Sequence, residues 1–324
     1  MSVSKTTIPQ PITPKLRLVF MGTPEFAVAN LRALVDDDQQ VVAVVTSPDK
    51  PAGRGLQMVA SPVKQYADSV GIPVLQPEKM RNHEFLEQLA ALNADLFVVV
   101  AFRMLPQVVW AMPPRGTFNL HASLLPQYRG AAPINWAIIN GETQTGCTTF
   151  FIEQEIDTGK IIFQETEPIH PNDTVGELYE RLMYRGAALT VKTVRAIANG
   201  HYPQVPQTIA ETPRLAPKIF KETCQINWRQ PAANIRNFVR GLAPYPAAWT
   251  MLGGKTCKIF ETTVLGNILF TDPFKTVCDE PVMRTDHKKQ LLVQTTDGWL
   301  SINDLQMEGK KRMKIDEFLR GFRF

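Results

Sequence analysis

Cysteine is scarce in this chain of 324 residues, with four in all, and long apolar runs are absent. Cys147, Cys224, Cys257 and Cys278 stand 77, 33 and 21 residues apart, with no C-x-x-C pair and no neighbouring histidine to complete a zinc site. This spacing argues against a disulfide scaffold and a structural zinc, and the four read as reduced thiols of a cytoplasmic protein. The longest uninterrupted apolar stretch, Leu96 to Phe102, has seven residues, against the roughly 20 that cross a bilayer. No transmembrane helix fits. The first fifteen residues hold three prolines, two lysines and no arginine. They match neither a secretion signal nor an arginine-rich transit pattern, and read as a loose arm. Also missing is the dinucleotide fingerprint G-x-G-x-x-G. The turn after the first apolar run is Gly22-Thr23-Pro24-Glu25-Phe26, with a single glycine, which disfavours a nicotinamide enzyme.

What is present is the make-up of an ordinary globular protein, 44% hydrophobic and 20% charged, with no internal repeat and no low-complexity segment. A chain this long exceeds what one core covers, so two domains are expected. The net charge of +4 conceals an asymmetry. Residues 1–207 hold 17 Lys+Arg against 19 Asp+Glu, giving −2, whereas residues 208–324 hold 18 against 12, giving +6. A basic C-terminal third favours a polyanionic partner such as nucleic acid, although a mildly basic domain often reflects solubility alone.

Apolar runs alternate with helical patterns along the first two hundred residues. Leu16 to Met21, Val41 to Thr46, Leu96 to Ala101 and Thr117 to Leu120 read as strands. Phe26 to Leu34, Pro62 to Ser69, Asn82 to Leu92 and Pro133 to Ile139 read as helices. The alternation predicts the α/β class, with a doubly wound, mostly parallel sheet. Thr174 and Glu177 form a capping box ahead of Val175, Leu178, Leu182 and Leu189, on a long helix that Gly200 closes. Four prolines between Pro203 and Pro217 suit a semi-rigid linker. The expected division is an arm over 1–15, a catalytic domain over 16–202, the linker over 203–217 and a second domain over 218–324. In the last, a helix from Pro231 to Arg240 is stopped by Gly241. Short strand-like stretches around Ile226, Trp249, Cys257, Leu292 and Leu300, with turns at Gly253-Gly254 and Asp297-Gly298, predict a small β barrel or sandwich.

Open parallel sheets bind ligands beyond the carboxyl ends of their strands, which directs attention to the end of Thr117 to Leu120. Asn119 and His121 are two residues apart and share one side of that strand end. An asparagine amide can hold a developing oxyanion while a histidine exchanges protons near neutral pH. A lone N-x-H is nonetheless more often ordinary packing, and Asp157-Thr158-Gly159 taken alone is a solvated turn.

Order gives these residues weight. Ser123-Leu124-Leu125-Pro126-Gln127-Tyr128-Arg129-Gly130 follows His121 closely, and Asp157-Thr158-Gly159 comes 36 residues after it. The set resembles the folate-dependent formyltransferases, in which N-x-H-x-S-L-L-P-x-Y-R-G and a downstream D-x-G supply a catalytic Asn, His and Asp. Within that superfamily, Ser47-Pro48-Asp49-Lys50-Pro51-Ala52-Gly53-Arg54-Gly55, Ser61-Pro62-Val63-Lys64 and Gly309-Lys310-Lys311-Arg312-Met313 are similar to the methionyl-tRNA formyltransferase family.

The resemblance implies a Rossmann-like catalytic domain joined to a smaller C-terminal β barrel of OB-like type that binds tRNA. It implies 10-formyltetrahydrofolate as formyl donor, methionyl initiator tRNA as acceptor, no metal, no membrane partner, and a cytoplasmic enzyme expected to be a monomer. Asn119, His121 and Asp157 would be catalytic. Phe102, Ser123, Leu124, Leu125 and Pro126 would line the folate, and Lys50, Arg54, Lys310, Lys311 and Arg312 would meet tRNA. One departure stands out, because many relatives carry tyrosine and glycine where this chain has Phe102 and Arg103, so the loop beside the pterin is altered. Two alternatives stay open: formylation of a small amine such as glycinamide ribonucleotide or an amino sugar nucleotide, and a non-catalytic RNA-binding protein on the same fold. The Pro51 to Gly55 loop and the second domain stand against the first, and the intact Asn, His and Asp against the other.

Overall fold

The computed structural model describes residues 15–52, 57–208, 212–268, 270, 274–279 and 281–322. The expected N-terminal arm, Lys15 apart, and Arg54 with its flanking glycines lie outside the described residues. In chain order the elements begin β1 (Arg17–Gly22), α1 (Glu25–Asp36), β2 (Gln40–Val45), β3 (Lys50–Ala52), β4 (Gln57–Val59), α2 (Pro62–Ser69), β5 (Val74–Leu75), α3 (His83–Ala91) and β6 (Leu96–Val100). There follow α4 (Gln107–Trp110), β7 (Thr117–His121), β8 (Arg129–Gly130), α5 (Pro133–Ile139), β9 (Gln144–Phe151), β10 (Ile161–Pro168), α6 (Val175–Ala198) and β11 (Leu215–Ala216). The remainder is α7 (Ala232–Leu242), β12 (Ala248–Leu252), β13 (Lys255–Gly266), β14 (Lys275–Asp279), β15 (Val282–Thr285), β16 (Leu291–Gln294), β17 (Trp299–Met307), β18 (Met313–Lys314) and α8 (Ile315–Gly321). Among the described residues no helix is long and apolar enough to cross a membrane.

Two compact units account for the chain. The first takes residues up to 121 with 147–165 and 183–207, and the second takes 122–146, 166–182 and 208 onward. The sheet of the first unit runs β10-β9-β7-β6-β1-β2-β5. β1 pairs in parallel with both β2 and β6, and β7 lies parallel to β6 but antiparallel to β9. The chain therefore moves outward through β2 and β5, then returns to the other side of β1, which puts the topological switch point between β1 and β6. Every residue of β6 is buried, as a strand covered on both faces requires, and the Leu-Phe-Val-Val-Val run supplies that surface. Truncating Phe97, 1% exposed, to alanine would cost about 3–5 kcal/mol. A buried polar pair is matched between helices: Thr190 on α6 donates to Asn30 Oδ1 at 2.7 Å, and Asn30 donates to Phe26 O at 2.8 Å, which fastens α1 to α6. The capping box forms as expected, with the Thr174 N–H and hydroxyl each donating to Glu177 at 2.8 Å.

The second unit carries a curved antiparallel sheet in the order β12-β13-β17-β16-β15-β14, with β18 on β17. Register irregularities along β13 at Ile259/Glu261, Glu261/Thr262 and Val264/Gly266 bend it toward a half-barrel. Its concave side, including Ile259, Leu300, Ile302 and Leu305, packs against α7 and α8 in one apolar core. The expected turns fall where the glycines place them, between β12 and β13 and between β16 and β17. The expected strand around Ile226 is only a bridge from Gln225 to Trp249.

The helix stop expected at Gly241 is corrected: α7 runs through it to Leu242. A Cβ there would stand 2.6 Å from Ile139 Cγ1 and 3.2 Å from Asn135 O, so the glycine serves close packing of α5 on α7 instead of ending the helix. Asn135 completes that packing by donating to Gly241 O at 2.8 Å. The proline-rich segment is pinned at both ends. Val205 bridges Ile161, and β11 pairs with β8.

Candidate active site

β7 carries Asn119 and His121 to the carboxyl end of the sheet. Period-two alternation puts Phe118 and Leu120 on one face, where Leu120 packs so closely on α6 that a Cβ at Gly186 would lie 2.7 Å from it. Asn119 and His121 therefore face away from α6. His121 is 8% exposed, and the Asn119 side chain, half-buried, has no hydrogen-bond partner among the described residues.

Asp157 reaches this face from the loop between β9 and β10. Its Oδ2 lies 3.9 Å from His121 Nδ1, within ion-pair range and beyond a direct hydrogen bond. Two features hold it there. Asp157 is in the left-handed region with φ 57°, and Gln207 donates through one amide to both Asp157 O and Gly159 O at 2.9 Å. Gly159 is required by close approach, because a Cβ would sit 1.7 Å from Phe151 O. Gln207, fifty residues from Asp157, carries no sequence signal of this role, since a side-chain bond to a distant carbonyl leaves no periodic pattern.

The structure thus brings Asn119, His121 and Asp157 together within one unit. A neutral amide donor, an imidazole and a carboxylate on one strand-end face can stabilise a developing oxyanion and move a proton. β6 ends beside this strand end, with Val100 in register with Leu120, and the loop carrying Phe102 leaves from there. Phe102 itself packs against the apolar cluster of Phe97, Val99 and Leu105. Ser123 to Pro126 belong to the second unit. Ser123 is buried with its hydroxyl donating to Gln127 O at 2.6 Å, Leu125 is buried, and the Leu125-Pro126 peptide is cis.

The expected tRNA contacts divide by environment. Lys50 is exposed at the start of the β3–β4 hairpin, and Lys310 and Lys311 are exposed on the turn before β18. Arg312 instead forms a bidentate pair with buried Asp304, at 2.9 and 3.0 Å, and lies 4.2 Å over the Phe260 ring. Hydrogen bonds from that guanidinium to the carboxylate hold the Arg312 pKa above its ordinary value. A feature that sequence reasoning missed lies within the second unit: a cavity of about 520 Å³ whose lining includes Lys218, Lys221, Lys258, Phe220, Tyr245 and Trp249. Among the described residues its lining holds three cations and three aromatic rings and no carboxylate. The local sequence Pro217-Lys218-Ile219-Phe220-Lys221 holds part of that signal, whereas Tyr245 and Lys258 come from separate elements.

Two family models match the chain: formyl transferase over residues 16–194 and formyl transferase, C-terminal domain, over residues 218–323. The methionyl-tRNA formyltransferase of Parabacteroides distasonis is 55% identical over 315 residues, covering 95% of this chain and 96% of the relative. That of Bacteroides fragilis is 52% identical over 315 residues, covering 95% of both. Among solved structures, a sugar 3N-formyl transferase in the presence of dTDP and 5-N-formyl-THF aligns with TM-score 0.63 at 20% identity, covering 92% of this chain and all of its own, a likeness of fold.

Proposed function

From the premise that this chain belongs to the methionyl-tRNA formyltransferase family, we propose that it transfers a formyl group from 10-formyltetrahydrofolate to the α-amine of methionine on initiator tRNA. The observation that carries the chemistry is the strand-end face that bears the half-buried Asn119 and, two residues on, His121 paired with Asp157. The loop after β6, which leaves a strand paired in register with the one carrying that amide, holds the aromatic residue Phe102 that we assign to the folate.

Asn119 donates to the formyl oxygen as the amine nitrogen bonds to the formyl carbon and negative charge builds there. His121 takes the proton that the attacking nitrogen sheds and returns it to the folate nitrogen as its bond to the formyl carbon breaks. Asp157 orients the imidazole and balances its charge while it holds that proton. A positioned donor of this kind is worth about 10²–10³ in turnover. Phe102 is the folate contact assigned to the first unit and Ser123 to Pro126 are those assigned to the second, the latter chiefly through backbone, since the Ser123 hydroxyl is engaged with Gln127.

Residues 16–202 act as the catalytic domain and 218–324 as the tRNA-binding domain. Lys50 and Arg54 meet the acceptor end, Lys310 and Lys311 add phosphate contacts, and the cavity around Lys218, Lys221 and Lys258 takes ribose-phosphate with its rings offering stacking surface. Arg312 supports this surface through Asp304. The enzyme works as a cytoplasmic monomer at translation initiation. To test the reading, labelled 10-formyltetrahydrofolate is supplied with methionyl initiator tRNA, uncharged tRNA or glycinamide ribonucleotide. Label on methionyl-tRNA alone supports it. Label on the ribonucleotide shifts the chain to small-amine formylation, and tRNA binding with no transfer makes it a binding protein.

A further inference from the structure

The loop that leaves β6 is built at a cost to stability. Ala101 takes φ 46°, in the left-handed region that residues with a Cβ seldom enter. Arg103 then reaches across to the segment after β5. One terminal nitrogen donates to Glu78 O at 2.9 Å and the other to Pro77 O, with the guanidinium 5.6 Å from the Phe102 ring centroid. Its Nε is buried without a partner, and burial pulls the guanidinium pKa below its ordinary value. Hydrophobic groups of similar volume are commonly as stable as a charge taken partly out of water in this way. Strained and desolvated groups that persist despite their cost cluster at functional sites.

The segment that Arg103 holds is itself anchored. Gln76, beside Pro77, donates to Ser47 O at 2.9 Å and to Asp49 Oδ1 at 2.7 Å, and Lys64 donates to Asp49 Oδ2 at 2.7 Å. Asp49 directly precedes Lys50, where the β3–β4 hairpin begins. Arg103 thus links the loop beside Asn119 to the root of the hairpin, both within the first unit.

We propose that Arg103 is a positioning residue for the formyl donor, fixing the loop from 101 to 106 in its folate-receiving shape by fastening it to the segment that roots the β3–β4 hairpin. This rests on the formyl-transfer reading above. It also accounts for arginine at a position where glycine is expected of a relative. Glycine would leave the loop its own freedom, whereas here a left-handed alanine and a bidentate brace set its course.

The test uses full-length Arg103→Met with saturating methionyl initiator tRNA and varied 10-formyltetrahydrofolate, beside thermal melting without ligand. The KM for the donor should rise about tenfold or more while kcat stays within about threefold. The melting temperature should stay within about 2 °C of wild type, because the two carbonyls can turn to water and the methionine keeps the packing over Phe102. Arg103→Lys should not rescue, since an ammonium lacks the planar fork that spans both carbonyls. Gln76→Ala should raise the same KM, and its combination with Arg103→Met should fall short of the product of the two effects. Rescue by lysine, an unchanged donor KM, or a fall in melting temperature with kcat and KM worsening in parallel would overturn the proposal. A wild type that formylates no amine defeats the reading on which it rests, whereas a normal wild type with unchanged donor KM in Arg103→Met defeats this assignment alone.

Discussion

The strand-end crevice and the lysine-lined cavity use charge in opposite ways. In the crevice His121 and Asp157 are 9% and 16% exposed at their side chains, and their effect depends on ångström-scale placement by β7 and by the Gln207-bound loop. In the cavity Lys218 and Lys221 are exposed, and their effect depends on summed field and screened attraction. The first arrangement is sensitive to geometry and insensitive to salt, and the other is the reverse. Chemistry and tRNA affinity should therefore be separable by substitution.

The largest effects belong to the crevice. Asn119→Ala and Asp157→Ala should each lower turnover by about 10²–10³ with tRNA affinity nearly unchanged, and the pair should be far from additive because both residues serve one intermediate. Steady-state rates beside filter-binding titrations check this, and a parallel loss of affinity would break the contrast. Gly159→Ala should come next. Its Cβ would collide with Phe151 O, so the loop carrying Asp157 must shift, lowering activity and the melting temperature together. Serial replacement of Lys218, Lys221 and Lys258 by alanine should weaken tRNA binding by about tenfold in total, reducing the log-log salt slope by about 1 for each phosphate no longer neutralised. Turnover at saturating tRNA should stay within about threefold of wild type. A normal salt slope in the triple variant would place the polyanion-binding lysines elsewhere.

The smallest effect is on acid stability, in a charge cluster of the second unit. Burial works against ionised Asp173, but hydrogen bonds from Arg181 and from the His170 N–H outweigh it and hold the carboxyl below the usual carboxylate range. A depressed folded pKa contributes stability above the unfolded value of about 3.9, and that stability is lost as pH falls through the folded value. Melting temperature followed from pH 6 downward should therefore drop less steeply in Asp173→Asn than in wild type, with turnover at neutral pH little changed.

Much of the first unit's sheet was legible because its central strands are buried on both faces. Arg17–Gly22 and Leu96–Val100 are near-continuous apolar runs, and α2 and α5 begin at Pro62 and Pro133, where proline fixes the first turn. β9 and β10 escaped expectation, since Gln144–Phe151 and Ile161–Pro168 mix Thr, Gln and Glu with apolar residues. Gly241 misled because a glycine that admits a neighbouring helix is spelled like one that ends its own. At the site, Asn119, His121 and Asp157 were legible only as an ordered set. The supports of the loops, Gln207 on Asp157 and Arg103 on Pro77 and Glu78, bond backbone carbonyls far away in sequence and have no local pattern. The cavity combines lysines and rings from distant segments, which only folding assembles.

The most direct test of the central claim is single-turnover formyl transfer by His121→Ala. With methionyl initiator tRNA prebound and 10-formyltetrahydrofolate added by rapid mixing, the chemical step should slow by about 10³ while the tRNA dissociation constant stays within about twofold of wild type. A near-normal rate of formyl transfer in that variant would contradict the assignment of the strand-end face as the catalytic centre.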